Sequence, residues 1–131
     1  MNTFRIFAIL LTFIVLSNPN AYAQNNSCFD AAQNNAEVNK CGSLLISPLE
    51  AQVKVEFQRI AEKYKGNDAM QEILRNTKES WNGYRNVQCM LESMAAAGGQ
   101  SIRPLPLEAN KSFLMCVSRT LLEMQAVIYK L

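Results

Sequence analysis

DAMQEILRNTKESWNGYRNVQCMLESMAAAGG, residues 68–99, decides the fold. Met70, Ile73, Leu74, Thr77, Trp81, Tyr84, Gln88 and Leu91 recur at the spacing of an α-helix that buries one stripe. Asp68 is placed to cap this helix, with Gln71 three positions on. Ala95, Ala96 and Ala97 prolong it, and Gly98-Gly99 supplies the left-handed stop that a helix end favours. The expectation is a helix of nearly 30 residues, weakest in its interior at Gly83.

Upstream, Ser47-Pro48-Leu49-Glu50 reads as a helix start: Ser47 caps, Pro48 occupies the first turn where no amide hydrogen is needed, and Glu50 closes a capping box. A helix is expected from Pro48 to about Lys65, buried along Leu49, Val53, Phe57, Ile60 and Tyr64 and ended by Gly66-Asn67. The stretch 24–40 mixes Asn and Ala with few large apolar groups and predicts at most a short helix. Downstream, Pro104 and Pro106 mark an extended loop. A closing helix from about Leu107 to Tyr129 follows, lined by Phe113, Leu114, Val117, Leu121, Met124 and Ile128. No stretch alternates in the manner of a half-buried strand. The fold class is all-α, a small disulfide-stapled bundle of three to four helices.

The chain begins with a basic start ending at Arg5, an apolar run from Ile6 to Leu16, the break Asn18-Pro19-Asn20 and small residues at Ala21 and Ala23. This pattern predicts a cleavable signal peptide at 1–23 and a single helical domain at 24–131. A retained anchor helix is the rival reading, but the run is short of the roughly 20 residues a span needs. A lipid anchor on Cys28 is disfavoured because Asn25-Asn26-Ser27 lacks the apolar and small residues that usually precede one. Export means an oxidising compartment, so Cys28, Cys41, Cys89 and Cys116 read as disulfide partners.

Four cysteines allow three connectivities. Cys89 and Cys116 fall on helices that a double-glycine turn would bring together antiparallel. Cys28 and Cys41 would be about 20 Å apart on one straight helix. They meet only if Cys28 belongs to a non-helical lead-in that folds back. Cys28 with Cys41 and Cys89 with Cys116 is the favoured pairing. A four-cysteine zinc site is the alternative and lacks the close Cys-x-x-Cys pairs usual there.

The chain has no histidine, so it lacks the commonest catalytic base and metal ligand. After signal removal 12 basic residues face 11 acidic ones, with no basic concentration suited to nucleic acid. Glu72 and Glu79, two turns apart on one helix, are the only semblance of an acid–base pair, and a solvated face explains them better. No enzyme activity, cofactor or metal site is expected, and no membrane association after signal removal.

The run Trp81-Asn82-Gly83-Tyr84-Arg85-Asn86-Val87-Gln88-Cys89, then Gly98-Gly99-Gln100-Ser101-Ile102 and Cys116, resembles the LprI-like lysozyme-inhibitor family. That family carries Trp-x-x-(Tyr/Phe)-Arg-Asp-x-x-Cys, a Gly-Gly-Ser turn, a last cysteine and two earlier cysteines about a dozen residues apart. An aromatic residue lies sixteen positions beyond the second of those, where this chain has Phe57. The chain resembles a divergent member: Asn86 stands where Asp is usual, Gln100 is inserted in the glycine turn, and Pro48 interrupts what is often a continuous helix.

The resemblance implies a bacterial protein, periplasmic or secreted, whose partner is lysozyme or another cell-wall hydrolase. Lysozyme cuts glycan with two carboxyl groups in a cleft. An inhibitor of it calls for a preorganised segment carrying donors and a cation. The candidate partner-binding residues are therefore Gly98, Gly99, Ser101 and Arg103, in a loop whose commoner reading is a plain connector between two helices. Trp81 and Tyr84 read as buried anchors, and Arg85 as the partner of a carboxylate such as Glu50 or Glu92, with an outward-facing fork as the alternative. A periplasmic immunity protein against a wall-cleaving amidase effector, or an envelope protein with no enzyme target, fits the same sequence physics. Oligomeric state is not encoded in any motif.

Overall fold

The computed structural model describes residues 27–100 and 104–131. The expected signal peptide, and Ser101 and Arg103, lie outside the described residues. Three long helices dominate: α1 (Asn35–Lys63), α2 (Asp68–Ala96) and α3 (Leu107–Ile128). A short helical segment at residues 27–31 precedes them, and there is no strand among the described residues. The protein is an all-α bundle held by two disulfides.

α1 starts well before Pro48, which corrects the boundary expected from the sequence. Asn34 caps it: its Oδ1 accepts from the Glu37 N–H at 3.0 Å, while the Glu37 carboxylate accepts from the Gln33 N–H at 2.7 Å. Two orphan amides are satisfied reciprocally, as in a capping box. Pro48 then lies inside the helix, where it removes the bond to the Leu44 carbonyl. Pro48 and Leu44 are both on the exposed side, the latter 63 % exposed. Water therefore reaches that side of the turn.

Helix α2 is capped by Asn67 rather than Asp68, through a bond from the Met70 N–H at 3.1 Å. Asp68 instead places its charge in the first turn, where the helix dipole favours it. Gln71 turns back and donates to the carbonyls of Ala61 (2.8 Å) and Tyr64 (3.2 Å), fixing the α1–α2 corner. Gly98 and Gly99 end α2 at φ +68° and +83°, as expected for a left-handed stop. The Gly99 N–H reaches back to the Met94 carbonyl at 2.8 Å.

Helix α3 is the spine. α1 and α2 each pack along it and scarcely touch one another. The main core joins Val53, Phe57 and Ile60 of α1 and Leu74 and Cys89 of α2 to Cys116, Val117, Leu121, Met124 and Ile128 of α3. The α1 and α3 stripes are those expected from the sequence.

The α2 stripe is rotated from its expected face. Leu74, Cys89 and Ser93 are buried, whereas Ile73, Tyr84 and Leu91 are exposed. Tyr84, expected as a buried anchor, is 57 % exposed. Apolar side chains lie on both faces of α2, and the Cys89–Cys116 bond turns the cysteine face inward.

A second small core lies at the start of α1, where Phe29 and Ala32 pack on Val38 and Cys41 with Leu107 and Leu114 of α3 alongside. Gly42 lets α3 approach closely there: a Cβ at this position would sit 2.7 Å from Leu114 Cδ1, and the leucine tip would have to shift. The pairings are Cys28–Cys41 (Cα–Cα 5.9 Å) and Cys89–Cys116 (5.3 Å). Cys28 reaches Cys41 from the helical segment 27–31, folded back through residues 32–34, and not from a non-helical lead-in.

Candidate functional site

The described ends of the α2–α3 connector form a stem that is fixed on both sides. On the α2 side, Cys89 is bonded to Cys116, and the buried Ser93 hydroxyl donates to the Ala109 carbonyl at 3.0 Å. On the α3 side, Asn35 Nδ2 donates to the Leu105 carbonyl at 3.0 Å. Asn110 Nδ2 bridges to the side-chain oxygens of Asn35 (3.2 Å) and Asn39 (3.0 Å). In the sequence these asparagines are legible only as a polar stretch, because their bonds span some 70 residues. Gly98 and Gly99 thus sit at a rigid base. The structure does not describe Ser101 and Arg103, so it neither brings them together nor separates them.

Above the disulfide, Arg119 of α3 pairs with Glu92 of α2 and approaches Cys116 Sγ at 3.7 Å. Gln88 donates to the same Glu92 carboxylate at 2.8 Å. The Gln88 bond foremost, followed by the Arg119 bond and charge, holds the Glu92 carboxyl below the usual carboxylate range. Partial desolvation opposes this. Glu92 is therefore occupied within the bundle.

The outward side of α2 is unusual. Ile73, Tyr84, Val87 and Leu91 are all more than half exposed. Tyr84, Val87 and Leu91 succeed one another at helical spacing, so they form one stripe. Every exposed residue from Ser80 to Gln100 is uncharged, including Gly83, Asn86 and Gly98-Gly99. The stripe runs directly into the glycine turn. A helix face away from the core is ordinarily charged. Sequence periodicity places Tyr84 and Leu91 in the core, and only the disulfide constraint separates the two faces.

Trp81 is half-buried against the main core and meets Tyr84 edge to face, with ring centroids 6.5 Å apart and planes at 83°. One turn on, Arg85 Nη1 lies 3.8 Å from Glu50 Oε1 of α1. Of the two carboxylates expected from the sequence, Glu50 is the partner. The contact is too long for a good hydrogen bond. Arg85 Nε is buried and has no hydrogen-bond partner among the described residues.

Because α1 and α2 stand apart, a cleft of about 200 Å³ opens between them. Val53, Phe57, Leu121 and Met124 form its floor. Glu50, Lys54, Lys78 and Arg85 form its rim, with Asn82 beside them. Sequence spacing gives no sign of this cleft, since its residues are scattered over three helices. Glu72 and Glu79 are exposed on α2, and Glu79 lies 3.9 Å from Arg75. Among the described residues, no cluster of three or more His, Cys, Asp or Glu groups is arranged to hold a metal ion. No described helix is long and apolar enough to cross a membrane. No family model, curated protein or solved structure matches the chain.

Proposed function

We propose that the protein is an exported helical binding protein that inhibits lysozyme or a related cell-wall hydrolase by covering its cleft or surface. The observation that carries the reading is the uncharged stripe of Tyr84, Val87 and Leu91, exposed on α2 and continuous with the Gly98-Gly99 turn. Exposed aromatic and aliphatic groups rimmed by polar residues mark protein interaction sites. The braced stem supports it further, because a surface whose supports are fixed before docking loses less entropy on binding. Two disulfides suit an oxidising compartment outside the cytoplasm. In this reading the protein acts by occlusion, without a cofactor and without chemistry of its own. Ser101 and Arg103 approach the carboxyl groups of the target while the α2 stripe packs on its rim.

The test adds the purified mature chain to lysozymes of several types in a cell-wall lysis assay. At least one lysozyme should be inhibited. Leu91→Lys should weaken that inhibition at least tenfold, as expected for an interface anchor, and joint Ser101→Ala and Arg103→Ala substitution should do the same. Inhibition that survives both changes refutes the proposed surface. Failure against every lysozyme, with an amidase recovered as the bound partner, replaces this reading with the immunity-protein one.

A further inference from the structure

The cleft between α1 and α2 has a composition that the inhibitor reading does not use. Its rim carries three cations, Lys54, Lys78 and Arg85, against a single anion, Glu50. Its floor is wholly apolar. Arg85 bears five N–H donors in a planar fork. Its Nε edge is buried without an acceptor among the described residues, and its Nη1 is left with one loose contact to Glu50. Buried donors are almost always satisfied, so a guanidinium with Nε unpaired and Nη1 in a single contact too long for a good hydrogen bond is under-satisfied, and its residue lines the cleft. A carboxylate matches the fork through two parallel bonds.

The volume limits the size of the group attached to that carboxylate. An apolar cavity of about 150 Å³ accepts a benzene molecule. A cleft of about 200 Å³ has room for such a ring or a short branched chain, with the anionic group at the rim. We propose that the α1–α2 cleft binds a small amphipathic carboxylate of about six to eight carbons, its anion on Arg85 and its body on Phe57, Leu121 and Met124. Lys54 and Lys78 raise the local positive potential. Glu50 is the internal competitor, and its half-exposed side chain moves aside when the ligand enters.

Benzoate is the probe. The oxidised mature chain is titrated at pH 7, with binding read from the fluorescence of Trp81, the sole tryptophan, one turn from Arg85. Thermal midpoint provides the second readout. Benzoate should saturate with a roughly millimolar Kd, as fits a ligand of this size. Benzylamine, with the ring but the opposite charge, and inorganic phosphate, with charge but no ring, should not saturate. Arg85→Gln should weaken benzoate binding about tenfold or more, and Glu50→Gln should tighten it several-fold.

Saturation by benzylamine or phosphate at the same concentrations overturns the proposal, as does no saturation by benzoate at tens of millimolar. So does undiminished binding to Arg85→Gln. If Arg85→Gln does not fold, Glu50→Gln decides, because its side chain is half-exposed: unchanged affinity overturns the assignment of Arg85 as the anion site. No hydrolase is present in the titration, so its failure leaves the inhibitor reading intact.

Discussion

Removing Cys89–Cys116 by double substitution to Ala is the perturbation that separates the roles of the two disulfides. The bond closes a separation of 27 residues, and Cys28–Cys41 closes 13. On the chain-entropy estimate these are worth about 3.5 and about 2.9 kcal/mol. Cys89 and Cys116 are also 0 % and 1 % exposed in the main core, so their truncation leaves a gap that adds to the loss. For a domain of this size a loss of about 3.5 kcal/mol lowers the thermal midpoint by about 15 °C.

Cys28–Cys41 ties down only the small satellite core, so its removal should release residues 27–34 with Phe29 while the three helices stay packed. Urea unfolding gives the two energies, and native-state hydrogen exchange shows where protection is lost. A smaller loss for the Cys89–Cys116 variant than for the Cys28–Cys41 variant would refute the reasoning. Loss of protection along the whole of α1 in the latter would refute it too.

Two further outcomes are expected. Pro48→Ala restores the N–H that α1 lacks at that position, and should stabilise the protein by about 1–3 kcal/mol in urea unfolding, since interior proline costs about 3 kcal/mol relative to alanine and part of this is offset in the unfolded chain; destabilisation would mean that α1 begins at Pro48 after all. The Glu92 carboxyl is held below its ordinary range in the folded state by Gln88 and Arg119. Its contribution is therefore complete above the unfolded carboxylate value of about 4.3 and is lost as pH falls through the lower folded value. Thermal midpoints measured from pH 7 to pH 2 should fall less steeply in Glu92→Gln, and parallel curves would contradict the coupling.

Much of the fold is legible because α1 and α3 each carry a single apolar stripe. Val53, Phe57 and Ile60, and likewise Val117, Leu121, Met124 and Ile128, are buried as their spacing requires. The start of α1 is obscured by the strong helix-start pattern at Ser47-Pro48, although Asn34 and Glu37 carry the same chemistry three residues apart. α2 has apolar side chains on two faces, and periodicity alone has no means of ranking them. The disulfide, a tertiary constraint, does. Gly98 and Gly99 are readable locally, since positive φ is a property of the residue itself. The cleft around Arg85 is not, because Glu50, Arg85 and Met124 meet only through packing of α1 and α2 on α3.

The placement of the two disulfides also determines what a protease would make of this molecule. Residues 28–41 and 89–116 are covalent rings, and residues 42–88 lie in neither. A nick in the α2–α3 connector, which joins the proposed inhibitory surface to its stem, opens one ring and leaves a single molecule. A nick at the Gly66 corner yields two pieces joined by packing alone. Of the two cuts, the one inside a disulfide ring is thus the one that leaves the chain in one piece.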